Sequence, residues 1–193
     1  MKIAGFHCWL LLMLALLLTS CMDVAMTGAQ AVYNRRSIQS GVTDQYITMQ
    51  AHKTLQVDHD HFKDTNIVIA TYNQEVLLTG QAPASWQRKK AEQLVKQIPE
   101  VKEIHNLIAV APVASTVTKL NDAWITTKIK TKLIASDEVD VSQIKVLTEN
   151  GNVYLMGILQ PEHAAAAVEL ASNTDGVQRV VKIFSYIRVT KKL

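Results

Sequence analysis

Thr148-Glu149-Asn150-Gly151-Asn152-Val153-Tyr154-Leu155-Met156-Gly157 decides the fold. An Asn-Gly pair between two apolar runs is a strong signal for a tight β-hairpin, because both central residues of the favoured turn need positive φ. The strand that leads into it, Gln143-Ile144-Lys145-Val146-Leu147-Thr148, has its counterpart in Asn66-Ile67-Val68-Ile69-Ala70-Thr71. The hairpin itself recurs as Asn73-Gln74-Glu75-Val76-Leu77-Leu78-Thr79-Gly80. Upstream, Asp44-Gln45-Tyr46-Ile47-Thr48 matches Asp122-Ala123-Trp124-Ile125-Thr126. Downstream, Val101-Lys102-Glu103-Ile104 matches Val177-Gln178-Arg179-Val180. The offsets are 78 residues upstream, 77 for the strand and hairpin and 76 downstream, a drift of one residue per connecting loop, which marks a duplication.

Each repeat reads as helix, strand, strand, helix, strand. In the first helix Ile47, Ala51 and Leu55 fall at i, i+4 and i+8, as do Ile125, Ile129 and Leu133 in its twin. Asp44 and Asp122 are expected as N-cap or first-turn acids. Gly80 and Gly157 close the second strand, where the backbone bends or another group approaches closely. The second helices are expected over Ser85–Ile98 and Pro161–Ser172, with Pro161 in the first turn. The last strands are expected over Val101–Val110 and Val177–Val189, with Leu107-Ile108-Ala109-Val110 and Ile183-Phe184 buried. The fold class is therefore α+β. Two tandem domains, residues 42–111 and 120–190, each carry a three-stranded mixed sheet with two helices on one face. The polar, proline-containing segment 112–119 links them. A domain of about 70 residues has only a modest core, so packing between the two is expected.

Met1–Ser20 reads as a targeting segment rather than part of the fold. Lys2 supplies a thin positive start, and Ala4–Leu18 is apolar but too short for a span, which needs roughly 20 residues. The end of the segment, Leu18-Thr19-Ser20-Cys21, resembles the bacterial lipobox, which implies cleavage before Cys21 and lipidation of its thiol. The alternative is an ordinary secretory signal that happens to contain a cysteine. Cys8 lies inside the apolar run and is expected to leave with it, so no intramolecular disulfide is expected. Residues 21–41 lack sustained periodicity and are expected to form a lipidated tether. Met22 follows the cysteine, and by resemblance to lipoprotein sorting this favours the outer membrane, facing the periplasm.

Twenty Lys and Arg against 17 Asp and Glu give a formal charge of +3, too weak for a nucleic-acid binder. Asp58-His59-Asp60-His61 with Asp64 has metal-ligand residue types. It is expected to be an exposed loop without a completed shell. His52, His105 and His163 are isolated along the chain. There is no nucleophile–base pattern and no glycine-rich phosphate loop. The chain is expected to have no catalytic residues, metal site or cofactor.

Glu149-Asn150-Gly151-Asn152-Val153-Tyr154-Leu155-Met156-Gly157 and Asp175-Gly176-Val177-Gln178-Arg179-Val180 resemble the BON domain of bacterial envelope proteins. The first copy departs at Pro99-Glu100-Val101 and lacks a glycine at the position of Gly151. A lipobox, a tether and two such domains together resemble the dual-BON outer-membrane lipoproteins, on the runs Asp122–Lys128 and Thr148–Gly151 above all. That resemblance implies binding of anionic phospholipid, chiefly through the second domain. It also implies a role in envelope integrity, outer-membrane permeability and stress resistance, with a link to division sites.

The residues themselves point to where a membrane would be met. With Ile125 at zero on a helical wheel, Ile129 and Leu133 fall near 40 and 80 degrees and Trp124 near −100 degrees. Lys128, Thr131 and Ala135 share the flank of Trp124, and Thr127, Lys130 and Ile134 complete the outer side. A tryptophan off the core stripe and beside lysines has the composition of an interfacial contact. The alternative for Trp124 is packing against the other domain or the linker. Two further functions fit the same composition. One is an adaptor for an envelope assembly or peptidoglycan protein, acting through the edge strand after Val177. The other is a chaperone-like module.

Overall fold

The computed structural model describes the backbone of residues 28–187 and the side chains of residues 39–187. The targeting segment 1–20, Cys21 and the last residues expected in the final strand lie outside the described residues. In the first repeat the elements run α1 (Gly28–Val57), a single turn α2 (His59–Phe62), β1 (Asn66–Tyr72), β2 (Glu75–Ala82) and α3 (Ser85–Val95). They finish with β3 (Glu103–Asn106) and β4 (Ala109–Val110). The second repeat contains α4 (Thr116–Ile134), a 3-10 turn (Val141–Gln143), β5 (Ile144–Glu149), β6 (Asn152–Leu159), α5 (Pro161–Ser172) and β7 (Arg179–Tyr186).

Both sheets are mixed. β1 pairs antiparallel with β2 and β5 with β6, while β2 pairs parallel with β3 and β4, and β6 with β7. The two hairpin turns have Asn73 and Gln74 at φ 52 and 69 degrees, and Asn150 and Gly151 at 50 and 70 degrees. A Cβ on Gly80 would lie 1.9 Å from the carbonyl oxygen of Asn66, and one on Gly157 would lie 2.6 Å from that of Gln143. The close backbone approach expected at both glycines is therefore present, and it excludes any side chain there.

Several expected boundaries are corrected. Part of the 21–41 segment is helical, since α1 begins at Gly28. The reason is that Ala, Gln and Arg favour helix and no proline interrupts them, so the amphipathic turn around Ile47 propagates backwards without needing periodicity of its own. Likewise α4 starts inside the expected linker. Ser115 caps it, its hydroxyl accepting from the Thr118 amide at 3.2 Å. Asp44 and Asp122 are consequently not caps but lie well inside their helices. α3 ends at Val95 rather than Ile98, the chain closing in overlapping turns through Ile98.

The third strand of the first repeat is interrupted. β3 and β4 follow one register on β2, but after the Leu107 amide donates to the Leu78 carbonyl at 2.7 Å the pairing lapses at Ile108. Asn106 Oδ1 accepts from the Ile108 amide at 3.4 Å, and the facing residue is Gly80 at φ 99 degrees, whose bend breaks the match. Ile108 turns into the core, while Leu107, Ala109 and Val110, expected to be buried, are exposed. Its counterpart β7 runs unbroken for eight residues. Ile183 within it is buried, and Phe184 is half-buried.

Alternation along the strands sorts side chains into three apolar clusters. Val76 and Leu78 face Ile47, Ala51, Ala91 and Val95 of their own helices, and Val153 and Leu155 face Ile125, Ile129, Ala167 and Ala171. The residues between them, Ala70 and Leu77 on one sheet and Tyr154, Met156 and Ile183 on the other, form a third buried cluster. The two sheets therefore stack face to face, with helices on both outer sides. This explains why β2 and β6 are apolar on consecutive positions rather than on alternate ones.

Candidate functional site

α4 carries both a structural and an outward role. On its inward side Asp122, only 4% exposed, grips the second hairpin. Its Oδ2 accepts from the Asn150 amide at 2.7 Å and its Oδ1 from the Gly151 amide at 2.8 Å. Asp44 does the same in the first repeat, accepting from the amides of Asn73 and Gln74, both at 2.7 Å. One turn on, Thr126 donates to Thr148 at 2.8 Å, as Thr48 does to Thr71 at 2.9 Å. These paired clasps fix the rotation of each helix on its sheet, and hence which residues face out.

In the second repeat the outward face of α4 is apolar. Val117 (76% exposed), Leu120 (68%), Trp124 (61%) and Ile134 (69%) stand free of the core. They follow one stripe with Thr127 and Thr131, spaced by three and four residues alternately, over about 26 Å of helix. Trp124 is therefore largely open to solvent rather than enclosed by the first repeat or the linker. Five of the six expected contact residues, Trp124, Thr127, Lys130, Thr131 and Ile134, are exposed on this helix. Lys128 is different: half-buried, its ammonium donates to the Asp175 carbonyl at 2.7 Å. Lys132 makes the same bond to the Asn173 carbonyl at 2.7 Å. Both lysines thus cover the carbonyl end of α5, a favourable place for cations. Lys130 is the exposed cation of the group.

Sequence reasoning missed Val117 and Leu120, because both precede Asp122, where the helix was expected to begin. The three-four spacing through Trp124, Thr127 and Thr131 to Ile134 would have revealed them had the helix start been placed at Ser115. In the first repeat Tyr46 takes the place of Trp124 and is exposed too.

The Asp58–Asp64 segment is not a plain loop, since His59–Phe62 form a helical turn. Asp58 pairs with the Lys90 ammonium at 2.8 Å and with His61, and these bonds hold its carboxyl below the usual range. The cation position beside Asp58 is therefore filled by Lys90, and His61 leans edge-on against Trp86. His105, read as isolated, is also corrected: its Nε2 lies 3.1 Å from Glu75 Oε2.

Polar contacts seal the stacked sheets. Glu149 Oε1 accepts from Gln81 Nε2 at 2.8 Å and from Asn66 Nδ2 at 3.1 Å, and Lys145 donates to the Thr71 carbonyl at 3.0 Å. Burial pushes the Glu149 carboxyl up, with Asp122 adding to the effect, and burial pushes the Lys145 ammonium down. Among the described residues no helix is long and apolar enough to cross a membrane.

Comparison with known proteins agrees with this architecture. The BON domain family model matches residues 43–112 and again 121–189. A 21 kDa hemolysin of Actinobacillus pleuropneumoniae is 37% identical over 153 residues, covering 79% of each chain. The outer membrane lipoprotein DolP of Haemophilus influenzae is 29% identical over 182 residues, covering 92% of this chain and 94% of that one. Osmotically-inducible protein Y of Escherichia coli is 29% identical over 156 residues, covering 79% of this chain and 77% of its own. With one match spanning the helix, hairpin and sheet of each repeat, the chain belongs to the BON domain family.

Proposed function

We propose that the chain is an envelope lipoprotein, anchored through Cys21 in the outer membrane and facing the periplasm, that binds anionic phospholipid with the outward face of α4. One observation carries this reading: Val117, Leu120, Trp124 and Ile134 stand exposed along one stripe of α4, with Thr127 and Thr131 between the last two and Lys130 beside them. A tryptophan ring suits the depth of lipid headgroups, and each lysine near an anionic surface contributes roughly 1 kcal/mol. One relative, similar over 92% of this chain, is named an outer membrane lipoprotein, which supports the same direction. A role in envelope integrity, including at division sites, follows from the family resemblance and belongs to this proposal.

The anchor supplies residence and high local concentration, so the α4 face selects the lipid rather than providing attachment. Lys128 and Lys132 already hold carbonyls at 2.7 Å, so the electrostatic share falls mainly on Lys130. The test is vesicle binding by the chain from residue 22 onward, without lipid, to phosphatidylglycerol against phosphatidylcholine. Trp124→Ala is expected to weaken phosphatidylglycerol binding about tenfold, equivalent to about 1.4 kcal/mol, with unchanged circular dichroism. Lys130→Glu is expected to weaken it more than Lys128→Glu does. Equally poor binding of the parent chain to both lipids would sink the proposal.

A further inference from the structure

The pairing of β2 with β3 brings together three metal-ligating side chains, Glu75 from one strand and Glu103 and His105 from the other. Parallel pairing of β2 with β3 sets Glu75 directly opposite Glu103, and Leu77 opposite His105. Residues 103 and 105 share a strand face, so two carboxylates and an imidazole converge. One ligand atom from each lies within 4.8 Å of the others. The imidazole sits between the acids, its Nε2 3.1 Å from Glu75 Oε2 and its Nδ1 3.9 Å from Glu103 Oε1. The other Glu75 oxygen, Oε1, accepts from Ser185 Oγ of β7 at 3.1 Å.

The second repeat shows how the same framework is otherwise neutralised. There the twin positions are Asn152 and Arg179, again directly opposite, and Arg179 Nε donates to Asn152 Oδ1 at 3.2 Å. The twin of His105 is the apolar Val181. One copy thus carries its own cation at this point of the sheet. The other has two like charges facing each other across paired strands, an arrangement that destabilises a sheet unless a cation joins it. Among the described residues, the ion pairs of Glu75 and Glu103 run to His105 and to no lysine or arginine.

We propose that Glu75, Glu103 and His105 form a divalent-metal site of the zinc class at the margin of the stacked sheets. An imidazole with two carboxylates is a donor set that suits zinc, at ligand distances of about 2.0–2.2 Å, leaving a fourth position for water. Glu103, with its side chain 63% exposed, is free to swing the short distance needed to close the set. Ser185 orients Glu75 from behind, the outer-shell support that metal-binding carboxylates use. Because Ser185 belongs to the second repeat and the ligands to the first, the bound ion also fastens the two sheets together.

The experiment is calorimetric titration of the full chain, purified in detergent, with zinc chloride at neutral pH, together with thermal melting. The intact chain is expected to take up one zinc ion and to melt higher in its presence. His105→Gln is expected to abolish uptake. Glu103→Gln, at an exposed position that leaves the fold intact, is expected to weaken it about tenfold or more. His61→Gln controls for the other histidine cluster and is expected to change nothing. No uptake by the intact chain, wild-type affinity in either His105→Gln or Glu103→Gln, or uptake lost in His61→Gln would each overturn the proposal.

Discussion

At the scale of single residues, Asp122 has the largest structural task for its size. Buried and inside a helix, it satisfies two turn amides with its two carboxylate oxygens. Truncation to alanine leaves both donors without a partner in a dry place, and hydrogen bonds to a charged group are worth more than neutral ones. Asp122→Ala is therefore expected to cost about 3 kcal/mol, read as a drop in the urea midpoint. Asp122→Asn, which keeps one acceptor oxygen, should cost less. The acid itself was legible in the sequence, but its task was not. An acid before an apolar helical stripe looks locally like a cap, while its partners stand 28 and 29 residues away. The signal was the duplication: Asp44 stands 29 and 30 residues before its own turn amides. His105 and Glu75 were hidden for the same reason, since only strand register joins them.

At the scale of elements, the two hairpins are one design with a single difference. Gln74 holds φ 69 degrees where the other turn has Gly151 at 70 degrees. A side chain in the left-handed region costs roughly 1–2 kcal/mol, part of which glycine gives back through its greater freedom when unfolded. The backbone bonds of Gln74, its amide to Asp44 at 2.7 Å and its carbonyl from Lys102 at 3.0 Å, do not involve its side chain. Gln74→Gly is therefore expected to stabilise the chain by about 1 kcal/mol, seen as a higher melting temperature. Strands and helix cores were legible because period and turn chemistry carry them. Helix starts were not, because a serine cap at Ser115 and propagation back to Gly28 leave no apolar rhythm. That misplacement hid Val117 and Leu120 and so shortened the candidate lipid face. The break in the third strand escaped as well, since it depends on Asn106 and on the bend at Gly80.

At the scale of the whole molecule, the continuous apolar runs Val76-Leu77-Leu78 and Val153-Tyr154-Leu155-Met156 state that each sheet is covered on both faces. The helices cover one, and the other sheet covers the second. This joint is sealed by polar groups that are sensitive to pH. Glu149 sits among Gln81 and Asn66, with Asp122 close by and Lys119 opposing it, and burial dominates, raising its carboxyl above the ordinary range. The folded state therefore keeps its proton to higher pH than the unfolded chain does. The favourable contribution is complete below the ordinary glutamate range and is lost as pH rises through the folded value. Glu149→Gln fixes the neutral form and keeps a side-chain oxygen to accept from Gln81 and Asn66. The variant is expected to be more stable than the parent at pH 7, with the difference shrinking to nothing below about pH 4. Urea midpoints measured across that interval read the effect directly. If parent and variant keep a constant difference at every pH, the Glu149 carboxyl does not govern the joint, and the apolar cluster of Ala70, Leu77, Tyr154, Met156 and Ile183 holds the two sheets together with the Lys145 and Ser185 bonds.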